Sequence, residues 1–204
     1  MYQADAVLVP KICHPDDIRR ITELMEDFDT KLSTQLWAMI EMPLAVLNIG
    51  PIAALGEHRR LTTFVMGFND LAKEMRAEQD RNLFMPAIAQ TIMAARAYGL
   101  SVIDSVYNDF NDPDGLRQEC EQARKFGFDG KSLIHPSQID IANAAFTPSD
   151  AKVAEAEAII AAFADPQNAG KGAITVDGKM TELLHLEQAR QTVAIASAIA
   201  STNQ

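Results

Sequence analysis

Five short apolar runs, each followed by a longer stretch of helical period, constrain this chain more than any other feature, because that alternation specifies parallel βα units. The runs are Ala6–Pro10, Leu36–Glu41, Leu61–Gly67, Ser101–Tyr107 and Gly130–His135. Between the first two, Ile18, Ile21, Leu24, Met25 and Phe28 recur at helical spacing and predict a surface helix with one buried stripe. Pro15 suits its first turn, and Asp16 and Asp17 complement its dipole. Met42-Pro43, Met85-Pro86 and Asp112-Pro113 repeat the punctuation. A proline costs nothing there, since an N–H at a helix start has no intrahelical partner. Beyond His135 the strand rhythm stops. Helices are predicted over Ser149–Ala164 and Glu182–Ala200, flanking a glycine-bearing segment, Asn168–Met180, that reads as a β-hairpin. The expected organisation is a barrel-type domain over residues 1–146 and a helical extension with a hairpin over 147–204.

Five parallel strands suit either an open sheet or part of a closed barrel. The chain has 204 residues, whereas a complete eightfold barrel typically needs about 250. Polar residues stand at or just after successive strand ends, Lys11, Glu41, Asp70, Asn108 with Asp109, and His135, and in barrels that edge is where reacting groups converge. The expected fold class is α/β, a partial (β/α)8-type barrel of about five βα units.

A formal net charge of −10 repels nucleic acid and anionic membranes overall, so neither is an expected partner. A local basic pocket for a phosphate-bearing cofactor is compatible with that charge. The two cysteines, Cys13 and Cys120, form no CxxC and predict no disulfide. With no signal-peptide pattern and no long uninterrupted apolar run, the cytoplasm is the expected compartment.

The sharpest chemical feature is Trp37-Ala-Met-Ile-Glu41-Met-Pro43, an apolar strand ending in a carboxylate. A carboxylate so placed is partly desolvated and needs a cation or donor beside it. Val65-Met-Gly-Phe-Asn-Asp70 delivers a second carboxylate to the same edge, with Gly67 read as the residue that lets the backbone turn tightly off its strand. Two carboxylates sharing a site suit a hard divalent ion such as Mg²⁺. Each would also suit a helix start on its own. His135 reads more simply as hydrogen-bonded structure than as acid, base or ligand. His14, His58, His135 and His185 are scattered, without zinc-ligand spacing. No dinucleotide fingerprint, P-loop or nucleophile elbow occurs, and Met39, Met66 and Met93 read as core filling.

In order, Ala6-Val-Leu-Val-Pro-Lys11, Leu36-Trp-Ala-Met-Ile-Glu41, Val65-Met-Gly-Phe-Asn-Asp70-Leu, Gly127-Phe-Asp-Gly-Lys-Ser-Leu-Ile-His-Pro136 and Val176-Asp-Gly-Lys-Met180 run through almost the whole chain. Together they resemble the citrate lyase beta-subunit and malyl-CoA lyase enzymes of the HpcH/HpaI aldolase/citrate lyase superfamily. The resemblance implies an eightfold barrel of which this chain supplies what corresponds to strands four to eight and the C-terminal extension. It implies that Glu41 and Asp70 bind Mg²⁺ and that Glu41, Gly67, Phe68 and Asn69 contact substrate. The position of the turn adds the expectation that backbone N–H groups around Gly67–Asn69 hold a substrate carboxylate. The implied reaction cleaves or forms a 3-hydroxyacyl-CoA thioester with a small 2-oxo acid through an enolate, with CoA as thioester carrier.

Two departures accompany the resemblance. The family's earlier strands bring a substrate-binding arginine and acidic residues near the metal, and this sequence begins after them. It therefore reads as a fragment, or as a protein of impaired catalysis. Family members also often carry an aspartate two residues after the hairpin methionine, contributed as acid/base to a neighbouring subunit. Glu182 stands there, following Met180-Thr181; a first-turn helix glutamate is the alternative. The rival functions are a non-catalytic assembly or binding protein of this fold and a CoA-independent 2-oxo-acid aldolase. Strand edges left uncovered predict a homo-oligomer.

Overall fold

The structure, a computed structural model, describes residues 4–28, 33–57 and 60–202; His58 lies outside them. The chain divides into two compact units, Met1–Phe146 and Thr147–Gln204.

In the first unit β1 (Ala6–Val9), α1 (Pro15–Phe28), β2 (Gln35–Ile40), α2 (Pro43–Leu47), α3 (Ile49–Ala53), β3 (Leu61–Met66), α4 (Phe68–Met75), α5 (Met85–Ala97), β4 (Ser101–Asp104), α6 (Pro113–Phe126), β5 (Gly130–Lys131) and α7 (Ile139–Phe146) follow one another. The five strands lie in sequential order and every pair is parallel. Right-handed crossovers that always advance in one direction place their helices on one face, whereas a doubly wound sheet reverses its order. This is a partial (β/α)8-type barrel.

Strand alternation sorts the side chains. Leu36, Ala38, Ile40, Phe64, Met66 and Val102 are buried beneath the helices, in one cluster with Ile12, Ile18, Ile52, Leu71, Phe84 and Ile88. Complete burial of each large aliphatic or aromatic side chain contributes about 1.5–3 kcal/mol. On the other face, Leu8 pairs in register with Trp37, and Val65 with Ile103, and these four line a hollow of about 400 Å³.

Several elements differ from the sequence expectation. The α1 stripe is buried at Ile18 and Thr22, with Ile21 and Met25 partly buried against the core, while Leu24 and Phe28 are exposed, Phe28 at 86%: the predicted stripe meets the core except at Leu24 and at its last residue. β5 ends at Lys131 because the buried Gln138 side chain takes the Ile134 N–H at 3.0 Å and donates to the Tyr107 carbonyl at 2.9 Å. Those bonds divert backbone groups that a longer β4–β5 ladder would need.

In the second unit, α8 (Asp150–Ala164) starts behind Ser149, whose Oγ accepts the Lys152 N–H. β6 (Ala173–Val176) and β7 (Lys179–Glu182) form an antiparallel hairpin, and α9 (Leu183–Thr202) packs on α8. Asp177 and Gly178 turn the hairpin at φ 48° and 76°, the positive values that a two-residue turn of this twist requires. Glu182 was expected to open the last helix. It is instead the final strand residue, paired with Ala173. Among the described residues no helix is long and apolar enough to cross a membrane.

Candidate active site

Three successive strand ends build one polar centre. Glu41 directly follows β2 and is 3% exposed. Asp70 lies in the first turn of α4, just beyond β3. Lys11 follows β1 and Pro10 in a left-handed conformation, φ 58°, which costs roughly 1–2 kcal/mol for a residue with a side chain. That conformation accompanies two bonds in different directions. The Lys11 N–H donates to Glu41 Oε1 at 2.9 Å, and Nζ donates to Asp70 Oδ1 at 2.6 Å while lying 3.5 Å from Glu41 Oε1. The hydrogen bond from Lys11 holds the Asp70 carboxyl below the usual carboxylate range, and the same bond raises Lys11.

Gly67 serves this centre by its size. Its φ of −126° is open to any residue, so the tight-turn reading is corrected. An added Cβ would lie 2.7 Å from Glu41 Cβ and 3.0 Å from Oε2. Only a residue without a side chain lets β3 exit this close to the Glu41 carboxylate.

The neighbouring side chains are tied to the scaffold. Phe68 is 8% exposed and stacks on Phe84 at 5.1 Å between centroids. Asn69 and Asn108 exchange amide hydrogen bonds at 3.1 and 2.9 Å, and Asn108 also donates to Gln79. Of the three amides expected to face a substrate carboxylate, that of Gly67 donates to the Ile40 carbonyl and that of Phe68 to Ser105 Oγ, each committed within the protein. Asn69, second in α4, is in the first turn, where no intrahelical carbonyl reaches the amides.

His135 accepts the Ser137 N–H, shares a hydrogen bond with Ser137 Oγ at 2.8 Å and stacks on Phe110, in keeping with a structural role. Glu182 lies in the second unit, its N–H donating to His185 Nδ1 at 3.0 Å. Glu41 and Asp70 are thus gathered by one ammonium with Gly67, Phe68 and Asn69 beside them, while Glu182 is placed within its own unit alone.

Two features escaped the sequence reading. Lys11 was noted as a polar strand end and given no role, although it stands after β1 much as Glu41 stands after β2. The second is a buried group of charges, Arg81, Asp104, Glu119 and Lys131, in which the Asp104 and Lys131 side chains are both 0% exposed. Charged residues within the apolar runs of consecutive strands were its signal, since each needs a buried partner.

Carboxylate oxygens are the ligands a hard divalent cation takes, and here both carboxylates face one ammonium, Lys11 Nζ lying 2.6 Å from Asp70 Oδ1 and 3.5 Å from Glu41 Oε1. Among the described residues no group of three or more His, Cys, Asp or Glu side chains gathers to hold a metal ion. The HpcH/HpaI aldolase/citrate lyase family pattern matches residues 1–136. The chain belongs to this family. Over 201 residues it is 48% identical to (3S)-malyl-CoA thioesterase of Cereibacter sphaeroides, covering 98% of this chain and 67% of that protein. Mitochondrial citramalyl-CoA lyase of Rattus norvegicus is 31% identical over 210 residues, covering 95% of this chain and 61% of that protein. The fold is shared with protein CitE from Mycobacterium tuberculosis, solved in complex with magnesium, acetoacetate and coenzyme A. There the identity is 24% and the TM-score 0.71, over 95% of this chain and 68% of that one. The chain therefore spans about two thirds of the length of these family members. Enzymes acting on CoA esters, lyase and thioesterase, are both found among them.

Proposed function

We propose that the protein is a Mg²⁺-dependent carbon–carbon lyase that cleaves, or in reverse forms, a 3-hydroxyacyl-CoA thioester, with a small 2-oxo acid as the second product. The convergence of Glu41 and Asp70 on one cation at neighbouring strand ends carries this reading. Those two carboxylates would hold Mg²⁺, which when bound supplies Lewis-acid charge for the carboxylate and keto oxygens of the 2-oxo acid. Lys11 steadies Glu41 through its amide. The Asn69 N–H, at the start of α4, is the donor to the substrate carboxylate, and Gly67 and Phe68 wall the site. In the cleavage direction the 3-hydroxyl loses its proton and its carbon becomes the keto carbon. The broken C2–C3 bond leaves its electron pair on the thioester as an enolate, which then takes a proton. Glu182, following the family resemblance, is the acid/base for that transfer, offered to a neighbouring subunit's site.

The test supplies malyl-CoA and citramalyl-CoA to the purified protein, with Mg²⁺ or with EDTA. A lyase releases a 2-oxo acid, read as its phenylhydrazone, without a free CoA thiol, and loses activity in EDTA. Glu41→Gln and Asp70→Asn should each lower kcat/KM by about 10²–10³-fold, the usual loss when one electrostatic stabiliser is removed. The 48% identity to a thioesterase favours one second reading, hydrolysis of the thioester, which would release a free thiol instead. Turnover of CoA-free hydroxy acids would point to an aldolase. No product from any of these substrates would leave a binding or assembly protein of this fold.

A further inference from the structure

The buried charges behind the centre are arranged around one residue of the substrate-binding turn. Arg81, in the turn before α5, donates from Nη1 to Asp104 Oδ1 at 3.0 Å and from Nε to Gln122 Oε1 at 2.7 Å. Lys131 Nζ donates to Asp104 Oδ2 at 2.9 Å, to Glu119 Oε1 at 2.5 Å and to the Ser105 carbonyl at 2.6 Å. The remaining guanidinium nitrogen, Arg81 Nη2, is buried without a hydrogen-bond acceptor. The guanidinium carbon lies 5.4 Å from the centroid of the Phe68 ring, close enough for the ring's π electrons to compensate the charge. Phe68 is tied to the cluster a second time, since its N–H donates to the hydroxyl of Ser105, the residue whose carbonyl accepts from Lys131.

We propose that Arg81 is a positioning residue: it carries the rigidity of the Asp104–Glu119–Lys131 cluster through Phe68 to Asn69 and Asp70. A planar guanidinium can hydrogen-bond to Asp104 and Gln122 while it also lies against an aromatic ring, which a lysine ammonium cannot do. The inference rests on the proposed roles of Asp70 and Asn69. It also separates Arg81 from a buried ion pair that contributes stability alone.

The experiment compares Arg81→Lys, Phe68→Leu, their double variant and Phe68→Tyr in the full protein. It reads Phe68 amide hydrogen exchange by NMR and Mn²⁺ affinity by electron paramagnetic resonance. Arg81→Lys and Phe68→Leu should each speed Phe68 exchange and weaken Mn²⁺ binding by about tenfold, the lower end of the loss typical of outer-shell partners. The double variant should be no worse than the worse single one, because both changes break the same link. Phe68→Tyr, which keeps the ring, should stay within about twofold by the same reasoning. Unchanged exchange in Arg81→Lys overturns the inference, as do additive losses or faster exchange with unaltered Mn²⁺ affinity. Should Arg81→Lys fail to fold, the contrast between Phe68→Leu and Phe68→Tyr decides by the same two readouts. Wild-type protein whose Mn²⁺ binding is absent, or survives Glu41→Gln, overturns the proposed function first and this inference with it.

Discussion

Glu41 and Gly67 occupy the tightest space in the site. A methyl group on residue 67 would meet the Glu41 side chain at 2.7 Å, so Gly67→Ala should force Glu41 aside and lower stability by about 1–3 kcal/mol, as overpacking does. Urea denaturation checks the stability, and Mn²⁺ titration checks the displacement. Asp104 presents the opposite case, a residue whose removal leaves charge behind. Its side chain is 0% exposed and holds both Arg81 and Lys131; Asp104→Ala would bury two cations with only Glu119 between them. A loss of about 3–5 kcal/mol is expected in the same denaturation experiment. At this scale Glu41 and Asp70 were legible in the sequence, because a carboxylate at the end of an apolar run is conspicuous. Lys11 was not, because its role depends on which strand lies beside β2.

At the start of α6, Asp112 accepts the Gly115 N–H at 2.9 Å and the Tyr107 hydroxyl at 2.7 Å. The hydrogen bond to Asp112 pushes the Tyr107 phenol up to about 12. Asp112 is lowered, first by the Gly115 N–H and then by Tyr107. A raised phenol contributes its stability fully below its unfolded value of 10.0 and loses it as pH rises through about 12. A lowered carboxyl contributes above its unfolded value of 3.8 and loses its share as pH falls through the folded value. The clasp is therefore complete between those two unfolded values. Phenolate absorbance of the folded protein should show a late-ionising tyrosine step that is absent from Tyr107→Phe. Gly115→Ala should return that step toward 10.0, since an added Cβ would overlap the Tyr107 hydroxyl and the Asp112 carboxylate. Prolines and β-branched runs made the βα elements visible in advance. The early end of β5 was hidden, because the Gln138 side chain that competes for strand hydrogen bonds acts across 31 residues on Tyr107.

For the whole molecule, β1 is the edge of the five-stranded sheet, pairing with β2 alone among the described strands. Its Val7 and Leu8 are 41% and 42% exposed, so this edge is open to a further strand. We propose a homo-oligomer, and light scattering should report a mass above the 22.3 kDa of a single chain. If Glu182 acts on a neighbour's site, a mixture of the two inactive proteins Glu41→Gln and Glu182→Gln should regain part of the activity. By itself the sequence determined the order of βα units, the helix starts marked by proline, the hairpin and the family, because each is written in local periodicity, turn chemistry or contiguous motifs. Only the tertiary structure decided that Lys11 joins Glu41 to Asp70 and that Arg81, Asp104, Glu119 and Lys131 neutralise one another behind Phe68. Those contacts link residues on different elements, and strand register and core packing bring them within hydrogen-bond reach; no local pattern does.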